Sequence, residues 1–368
     1  MNRRTFLAAS AVGAFMSQAA AAKSDRFAAL ALQALCDAVN QDKAQKDAQA
    51  RMRRAIDRVG KQTLAAKGFL KGFNGYDLRL VVLPEYWMTG FPLGETREEW
   101  QDKAVIDQTG AFADALAGIA KKAGVYLCSN HYENDPAFPD LYFQANVVYA
   151  PTGDVALRYR RMISLYSPTP YDVWDKFVAH YGEDAAFPVA DTEIGVLGAI
   201  ASEEILYPEI ARMVALKGAE ILLHPTSEVG APGLTPKDIA KRARALENIA
   251  YVVSANSGGL VGTSVPANST DLMSKVVDFK GAVMAEAGPG ETMNANAILD
   301  LAALREARKK TGMSNFLSRL PLTAFRGGYA KDFAPPNRTP DGRMIERADA
   351  IRQQQAVIDR MLKDGVLK

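Results

Sequence analysis

The chain of 368 residues carries 44 Lys and Arg against 42 Asp and Glu, and 48% of its residues are hydrophobic. Such a composition is typical of a globular protein with a substantial core, organised as one large domain or two ordinary ones. The near-neutral charge argues against nucleic-acid binding and against adhesion to anionic lipid.

The amino terminus has the pattern of an export signal. Arg3 and Arg4 precede a short apolar run through Phe15 and a small-residue stretch at 19–22. We expect residues 1–22 to be a twin-arginine signal peptide, because the run is too short and too rich in Ala and Gly for a membrane anchor. Cleavage would remove two of the 44 basic residues and leave a net charge of zero. The prediction is a periplasmic or secreted protein with no stable membrane insertion after cleavage.

Strand and helix patterns alternate along the mature chain. Strands are predicted at 27–34, 78–83, 125–128, 195–201, 221–224, 251–255 and 297–300, hairpins at 143–159 and 271–285, and helices at 42–67, 112–123, 209–217, 236–248 and 346–363. This order predicts a mixed α/β fold with buried sheets. We assign residues 23–325 to one domain and residues 326–368, where Gly, Pro and polar residues become frequent, to a carboxy-terminal arm and helix. The arm would wrap its own subunit or a neighbouring one.

Cysteine and histidine usage predicts neither a metal site nor a cofactor site. Cys36 and Cys128 could pair after export, but Cys128 lies in an apolar strand where a small buried side chain is expected. His131, His180 and His224 occur in unrelated contexts, and no Gly-rich phosphate loop is present. His224 could approach Ser202 and act as its base, although a structural role is the simpler interpretation.

The segment 195–209 is the most informative in the chain. A buried strand leads to a sharp turn at Ser202, and a helix begins near Pro208. A turn of this kind lifts one side chain out of the sheet edge, where enzymes hold a nucleophile. Two further segments precede it, with Glu85 at a strand end in Leu-Pro-Glu-Tyr-Trp and Arg161 in Tyr-Arg-Arg.

In their order and local sequence these segments resemble the nitrilase superfamily, the carbon–nitrogen hydrolases. Supporting matches are Glu204, the Tyr-Pro-Glu at 207–209 and the Arg-Ala-Leu-Glu-Asn at 244–248. The resemblance implies an α/β fold, a four-layer α-β-β-α sandwich with two six-stranded sheets, and assembly as a homodimer or higher homo-oligomer. It also implies a small-molecule substrate and no cofactor.

The resemblance assigns catalytic roles to four residues. Glu85 takes the place of the general base, Arg161 that of the oxyanion-stabilising lysine, and Ser202 that of the nucleophilic cysteine, while Glu133 becomes an orienting carboxylate. Serine is far less acidic than cysteine and normally needs His or Lys as its base. Arginine can stabilise an oxyanion but cannot release a proton at working pH.

These two departures leave the function open between two classes. One is an exported hydrolase of the carbon–nitrogen bond in a small amide, with Ser202 as nucleophile or water-positioning hydroxyl. The other is an inactive relative that binds a ligand or serves in assembly. Simple alternatives also exist for the individual residues: Glu85 or Arg161 could be solvent-facing, and Ser202 could be only a turn residue or helix cap.

Overall fold

The computed structural model describes residues 25–229, 233–270, 272–331, 333–339 and 346–368. The predicted signal peptide, residues 1–22, lies outside the described residues. The strands are β1 Arg26–Ala31, β2 Cys36–Asp37, β3 Leu78–Val82, β4 Ile106–Asp107, β5 Tyr126–Asp135, β6 Phe138–Tyr149, β7 Val155–Arg160, β8 Val189–Thr192, β9 Gly195–Ala199, β10 Ile221–Pro225, β11 Tyr251–Ala255, β12 Leu260–Val261, β13 Lys275–Val277, β14 Val283–Glu286 and β15 Asn296–Asp300. The helices are α1 Gln45–Asn74, α2 Arg97–Ala104, α3 Ala111–Ala123, α4 Trp174–Tyr181, α5 Pro208–Leu216, α6 Pro236–Asn248, α7 Leu301–Lys309, α8 Leu322–Tyr329 and α9 Arg347–Lys363.

Two sheets form the centre of the fold. The first follows the order β15-β1-β3-β5-β6-β7, and the second follows β14-β13-β11-β10-β9-β8. The short strand β4 pairs with β5 and adds a seventh strand to the first sheet, which corrects the expectation of two six-stranded sheets. A two-residue strand of this kind carries too little pattern to be recognised in sequence.

The sheets are stacked between helices, as expected for an α-β-β-α sandwich. One core cluster joins side chains of both sheets, among them Leu80 and Leu223. A second cluster joins the other face of the first sheet to α1 and α3, for example Val81 to Val59 and Leu116. The central strands β3 and β10 are apolar nearly throughout because helices or a second sheet cover both of their faces.

The segment around Ser202 is placed by unusually close packing behind it. A Cβ atom on Gly198 of β9 would lie 3.0 Å from the side chains of Val214 on α5 and Ala219 after it, so a larger residue would require these neighbours to shift by a few tenths of an ångström. Ser202 follows β9 at the carboxyl edge of the second sheet. It lies next to the loops that follow β3, β7 and β10.

The carboxy-terminal arm contacts its own chain. The backbone N–H of Asn337 donates to the carbonyl of Tyr171 at 3.0 Å, and Thr339 binds Asp172 in the same way. The boundary predicted at 325/326 falls inside α8, because the change in composition there does not coincide with the end of an element. Among the described helices none is long and apolar enough to cross a membrane.

Candidate active site

Ser202 occupies a strained turn directly after the second-sheet strand β9. Its φ is 49°, in the left-handed region that residues other than glycine rarely adopt. The side chain is almost fully buried. Its Oγ accepts a hydrogen bond from Lys237 Nζ at 2.9 Å, and its carbonyl accepts one from His224 Nε2 at 2.8 Å. The fold thus holds Ser202 in a strained backbone conformation that presents its hydroxyl, as nucleophile turns do.

Glu85 follows β3 and lies completely inside the protein. Its Oε1 accepts hydrogen bonds from Arg161 Nη1 at 2.9 Å and from Gln144 Nε2 at 3.0 Å. Its Oε2 is buried and makes no hydrogen bond of ordinary length with the described residues. The phenol of Tyr86 is close enough that burial and then the Glu85 charge raise its pKa well above the usual value. A solvent-facing Glu85 is therefore wrong, and the Tyr86 phenol is a hydrogen-bonding neighbour of this carboxylate.

Arg161, just after β7, is the centre of an ion-pair network. Besides Glu85 it binds Glu203, and it donates through Nη1 to Gln144 Oε1 at 2.6 Å and through Nε to the carbonyl of Ile163 at 2.7 Å. Burial works against its charge, but Glu85 and Glu203 outweigh burial and raise the pKa of the guanidinium. Among the described residues these contacts use four of its five N–H donors, and the fifth is on Nη2.

Glu204 holds the two halves of the site together. Its Oε2 accepts from Tyr159 Oη at 2.7 Å and from the N–H of Ala201 at 3.0 Å. Its Oε1 accepts from the N–H groups of Met162 and Ile163 at 2.7 and 3.0 Å. Four donors thus fix one buried carboxylate, and that carboxylate fixes the Ser202 turn against the Arg161 segment.

Lys237, like Gln144, is a site residue that the sequence did not predict. It lies in the first turn of α6, and its Nζ reaches Ser202 Oγ, the Thr226 hydroxyl at 3.3 Å and the Ser227 carbonyl at 2.9 Å. Glu85 meets the same loop, since its backbone N–H donates to the Thr226 carbonyl at 3.2 Å. Burial lowers the pKa of Lys237, while Glu85 and Glu228 oppose the change. A lysine in the first turn of a helix was the available signal, because the helix dipole disfavours a cation there.

Glu133 lies in a different set of contacts. It is buried on β5, 3.4 Å from Arg158 Nε and 3.9 Å from His131 Nε2. Burial raises its pKa to about 7, although Arg158 and Arg160 act in the opposite direction. The group that orients Glu85 in the structure is Gln144, on β6, and not Glu133. A catalytic role for Glu133 stays a prediction.

His224 and the two cysteines are buried and take no part in activating Ser202. Burial lowers the pKa of His224 well below its usual value, and the neutral ring bridges the Ser254 hydroxyl and the Ser202 carbonyl. Because Nε2 is used by that carbonyl, His224 is not the base of the Ser202 hydroxyl. Cys36 and Cys128 are both buried free thiols, so the disulfide considered for them does not form in this structure.

A cavity opens beside the site. Its volume is about 710 Å³, and Ile163, Glu203 and Tyr207 form part of its wall, whereas Arg161 and Ser202 are not among the residues that line it. The opposite wall comes from the carboxy-terminal arm and α9, including Asn337 and Val357. Volumes of 300–1,000 Å³ are typical of small-molecule sites. The described residues contain no cluster of His, Cys, Asp and Glu that could hold a metal ion.

The fold is an α/β sandwich with the serine turn and the buried Glu–Arg pair at the edge of its sheets. The family model for carbon-nitrogen hydrolases matches residues 49–309. The chain therefore belongs to the carbon–nitrogen hydrolase family, the nitrilase superfamily.

Individual relatives agree with this assignment. A nitrilase from Pyrococcus abyssi is 33% identical over 196 residues, which are 53% of this chain and 68% of the relative. An omega-amidase, NIT2-A, from Xenopus laevis is 26% identical over 237 residues, or 63% of this chain and 80% of the relative. The crystal structure of a carbon-nitrogen hydrolase from Helicobacter pylori G27 superposes with a TM-score of 0.61 at 22% identity. That superposition covers 84% of this chain and 99% of the other, and it supports the fold.

Proposed function

We propose that this protein hydrolyses the carbon–nitrogen bond of a small amide or related compound at the Glu85–Arg161–Ser202 site. The observation that carries the proposal is the strained, buried Ser202 hydroxyl beside an internal ion pair whose Glu85 retains a buried oxygen without a hydrogen bond of ordinary length.

Each group has a role that its contacts allow. Ser202 Oγ attacks the carbonyl carbon, and the remaining Nη2 hydrogen of Arg161 stabilises the resulting oxyanion. Glu85 Oε2 accepts a hydrogen bond from the leaving nitrogen or from the incoming water. The cavity formed with the arm would hold the rest of the substrate, and its volume of about 710 Å³ is within the range typical of small-molecule sites.

We also propose export and self-association for this enzyme. Export rests on the signal pattern at residues 1–22. Self-association is supported by apolar side chains that α5 and α6 expose to solvent, among them Met213, Leu216, Ile239 and Leu246. Such a helical face is typical of an interface between copies of a chain.

Ammonia release from a panel of short aliphatic amides, ω-amides and nitriles tests the proposal. We expect turnover by the wild type and a loss of at least about 100-fold in Ser202→Ala. Ser202→Cys is expected to retain or raise turnover because a thiolate forms more easily than an alkoxide. Undiminished turnover by Ser202→Ala would exclude the serine nucleophile.

The alternative is an inactive family member, and one observation favours it. Arg161 is bound by Glu85, Glu203, Gln144 and a carbonyl, a network that is nearly self-sufficient without a ligand. An inactive protein would show no turnover across the panel. In that case the double variant Ser202→Cys with Arg161→Lys is expected to gain activity, since the remaining framework is in place.

A further inference from the structure

The hydrogen bonding of Ser202 separates its activation from the Glu–Arg pair. The Ser202 hydroxyl is bonded to Lys237 Nζ at 2.9 Å, whereas Glu85 is bonded to Arg161 and Gln144. His224 is occupied by the Ser202 carbonyl. A serine needs a base within hydrogen-bond reach, and among the described residues Lys237 is the side chain that meets this condition.

The surroundings of Lys237 keep its amine in place. Thr235, the N-cap of α6, donates its hydroxyl to Glu228 Oε2 at 2.8 Å, and Lys241 one turn further along the helix forms a buried ion pair with the same carboxylate. Lys275 and Asp238 form a second buried pair at the start of the helix. The first turn of α6 is therefore fixed at the site, which is the pre-organisation that proton transfer requires.

We propose that Lys237 is the catalytic base of Ser202, so that this site works through a serine–lysine pair. The inference rests on the proposed function and specifies its chemistry. Lys237 then replaces Glu85 as the group that activates the nucleophile. Glu85 keeps the role of accepting a hydrogen bond from the leaving nitrogen or from the incoming water.

The reaction then has two steps, acylation of Ser202 and hydrolysis of the acyl-serine. The neutral Lys237 amine takes the Ser202 hydroxyl proton as Oγ bonds to the carbonyl carbon, and the carbonyl π pair moves to oxygen. Collapse of this intermediate breaks the carbon–nitrogen bond, and the Lys237 ammonium returns the proton to the departing amine. Water then attacks the acyl-serine ester with Lys237 again as base, which gives the acid and restores Ser202.

The local charges are consistent with an amine that can lose its proton. Burial and the positive end of the α6 dipole disfavour the ammonium form. The charged and titratable groups that face it are Arg161, which disfavours the cation, Glu85, Glu228 and Glu203, which favour it, and the neutral His224. A lysine in these surroundings titrates below its free value of about 10.4.

A fluorophosphonate probe tests the pair without knowledge of the substrate, because it reacts with activated serines. The rate of covalent labelling would be measured across pH 6 to about 11, with the labelled peptide identified by mass spectrometry. The proteins compared are the wild type, Ser202→Ala, Lys237→Met and Lys237→Arg. Lys217→Met serves as the matched control, since Lys217 pairs with Asp184 away from the site. Thermal unfolding would show that each variant is folded.

We expect labelling at Ser202 with a rate that rises through an apparent pKa below about 10.4. Lys237→Met and Lys237→Arg should both slow it by about 100-fold or more and remove the inflection. Lys237→Arg is decisive because it retains the charge and the donors but cannot accept the proton. Wild-type labelling in Lys237→Arg, or no labelling of Ser202 in the wild type, overturns the proposal.

The amide panel separates this result from the proposed function. Lys237-dependent labelling without amide turnover would retain the pair and reject the amide reaction. Turnover that is unaffected by Lys237→Arg would retain the hydrolase and reject the pair.

Discussion

The carboxylate of Glu204 should be the largest single contributor to the rigidity of the site. Glu204→Gln preserves shape but replaces one oxygen by an NH₂ group, which must face either the N–H donors at 162 and 163 or the pair formed by Tyr159 and the Ala201 N–H. At least one buried backbone N–H then loses its acceptor, at a cost of about 1–3 kcal/mol. The remaining bonds lose the strengthening of an ionised acceptor, which is worth about 1 kcal/mol each.

The sum is a loss of about 4 kcal/mol in the free energy of unfolding, or roughly 5 °C in the unfolding temperature for a chain of this size. Denaturation in urea and by heat at pH 7 measures it. Glu306→Gln is the control, because its exposed pair with Lys309 should contribute less than about 1 kcal/mol. A Glu204→Gln protein within 1 kcal/mol of the wild type would refute the claim that this carboxylate holds the turn.

Three further predictions concern pH, export and assembly. The pKa of Glu133 in the folded protein is raised to about 7, so its contribution to the free energy of unfolding is complete below about pH 4.5 and is lost as pH rises through 7. Glu133→Gln should therefore reduce the fall in unfolding temperature between pH 5 and 8. The same stability profile in both proteins would contradict that pKa. Replacing Arg3 and Arg4 together by lysine should leave the precursor in the cytoplasm, as fractionation would show, and unimpaired export would refute the twin-arginine route. Leu246→Lys should shift the protein toward monomer in sedimentation velocity, whereas an unchanged distribution would place any interface elsewhere.

The sequence predicted the order of elements well where the pattern was long or strongly apolar. The predicted helix at 236–248 and strand at 251–255 coincide with α6 and β11, and the hairpin at 143–159 is present. The helix predicted at 42–67 continues to Asn74, because the stop is Gly75 in a left-handed conformation and not a change in hydrophobic pattern.

Several short helices were missed although local signals existed. Thr96 and Glu99 form a capping box at the start of α2, and Asp300 caps α7 with its side chain. The helices α4 and α8 have weaker signals. Leu322, Phe325 and Tyr329 of α8 recur at helical spacing, but the helix is only eight residues long, contains two glycines and exposes these side chains.

Site residues were recognisable only where a motif carried them. Glu85, Arg161 and Ser202 stand in segments with family resemblance, whereas Gln144 and Lys237 enter the site through tertiary contacts. The first-turn position of Lys237 is unusual for a cation, but it does not indicate which residue the amine contacts. Lys237 is 35 residues from Ser202, and only the parallel pairing of β9 with β10 and the return of α6 bring the two side chains together. Glu133 was assigned to the site by family resemblance, but the sequence did not predict its neighbours. In the structure they are Arg158 and His131.

The most direct test of the central claim is a search for an acyl group on Ser202. The purified wild type would be mixed with an activated acetyl ester or amide, quenched in acid within seconds and digested, and the peptide containing Ser202 analysed by mass spectrometry. We predict an acetyl ester on Ser202 in the wild type and its absence in Ser202→Ala. Catalytic turnover without any acyl group on Ser202, or acylation at another residue, would contradict the account.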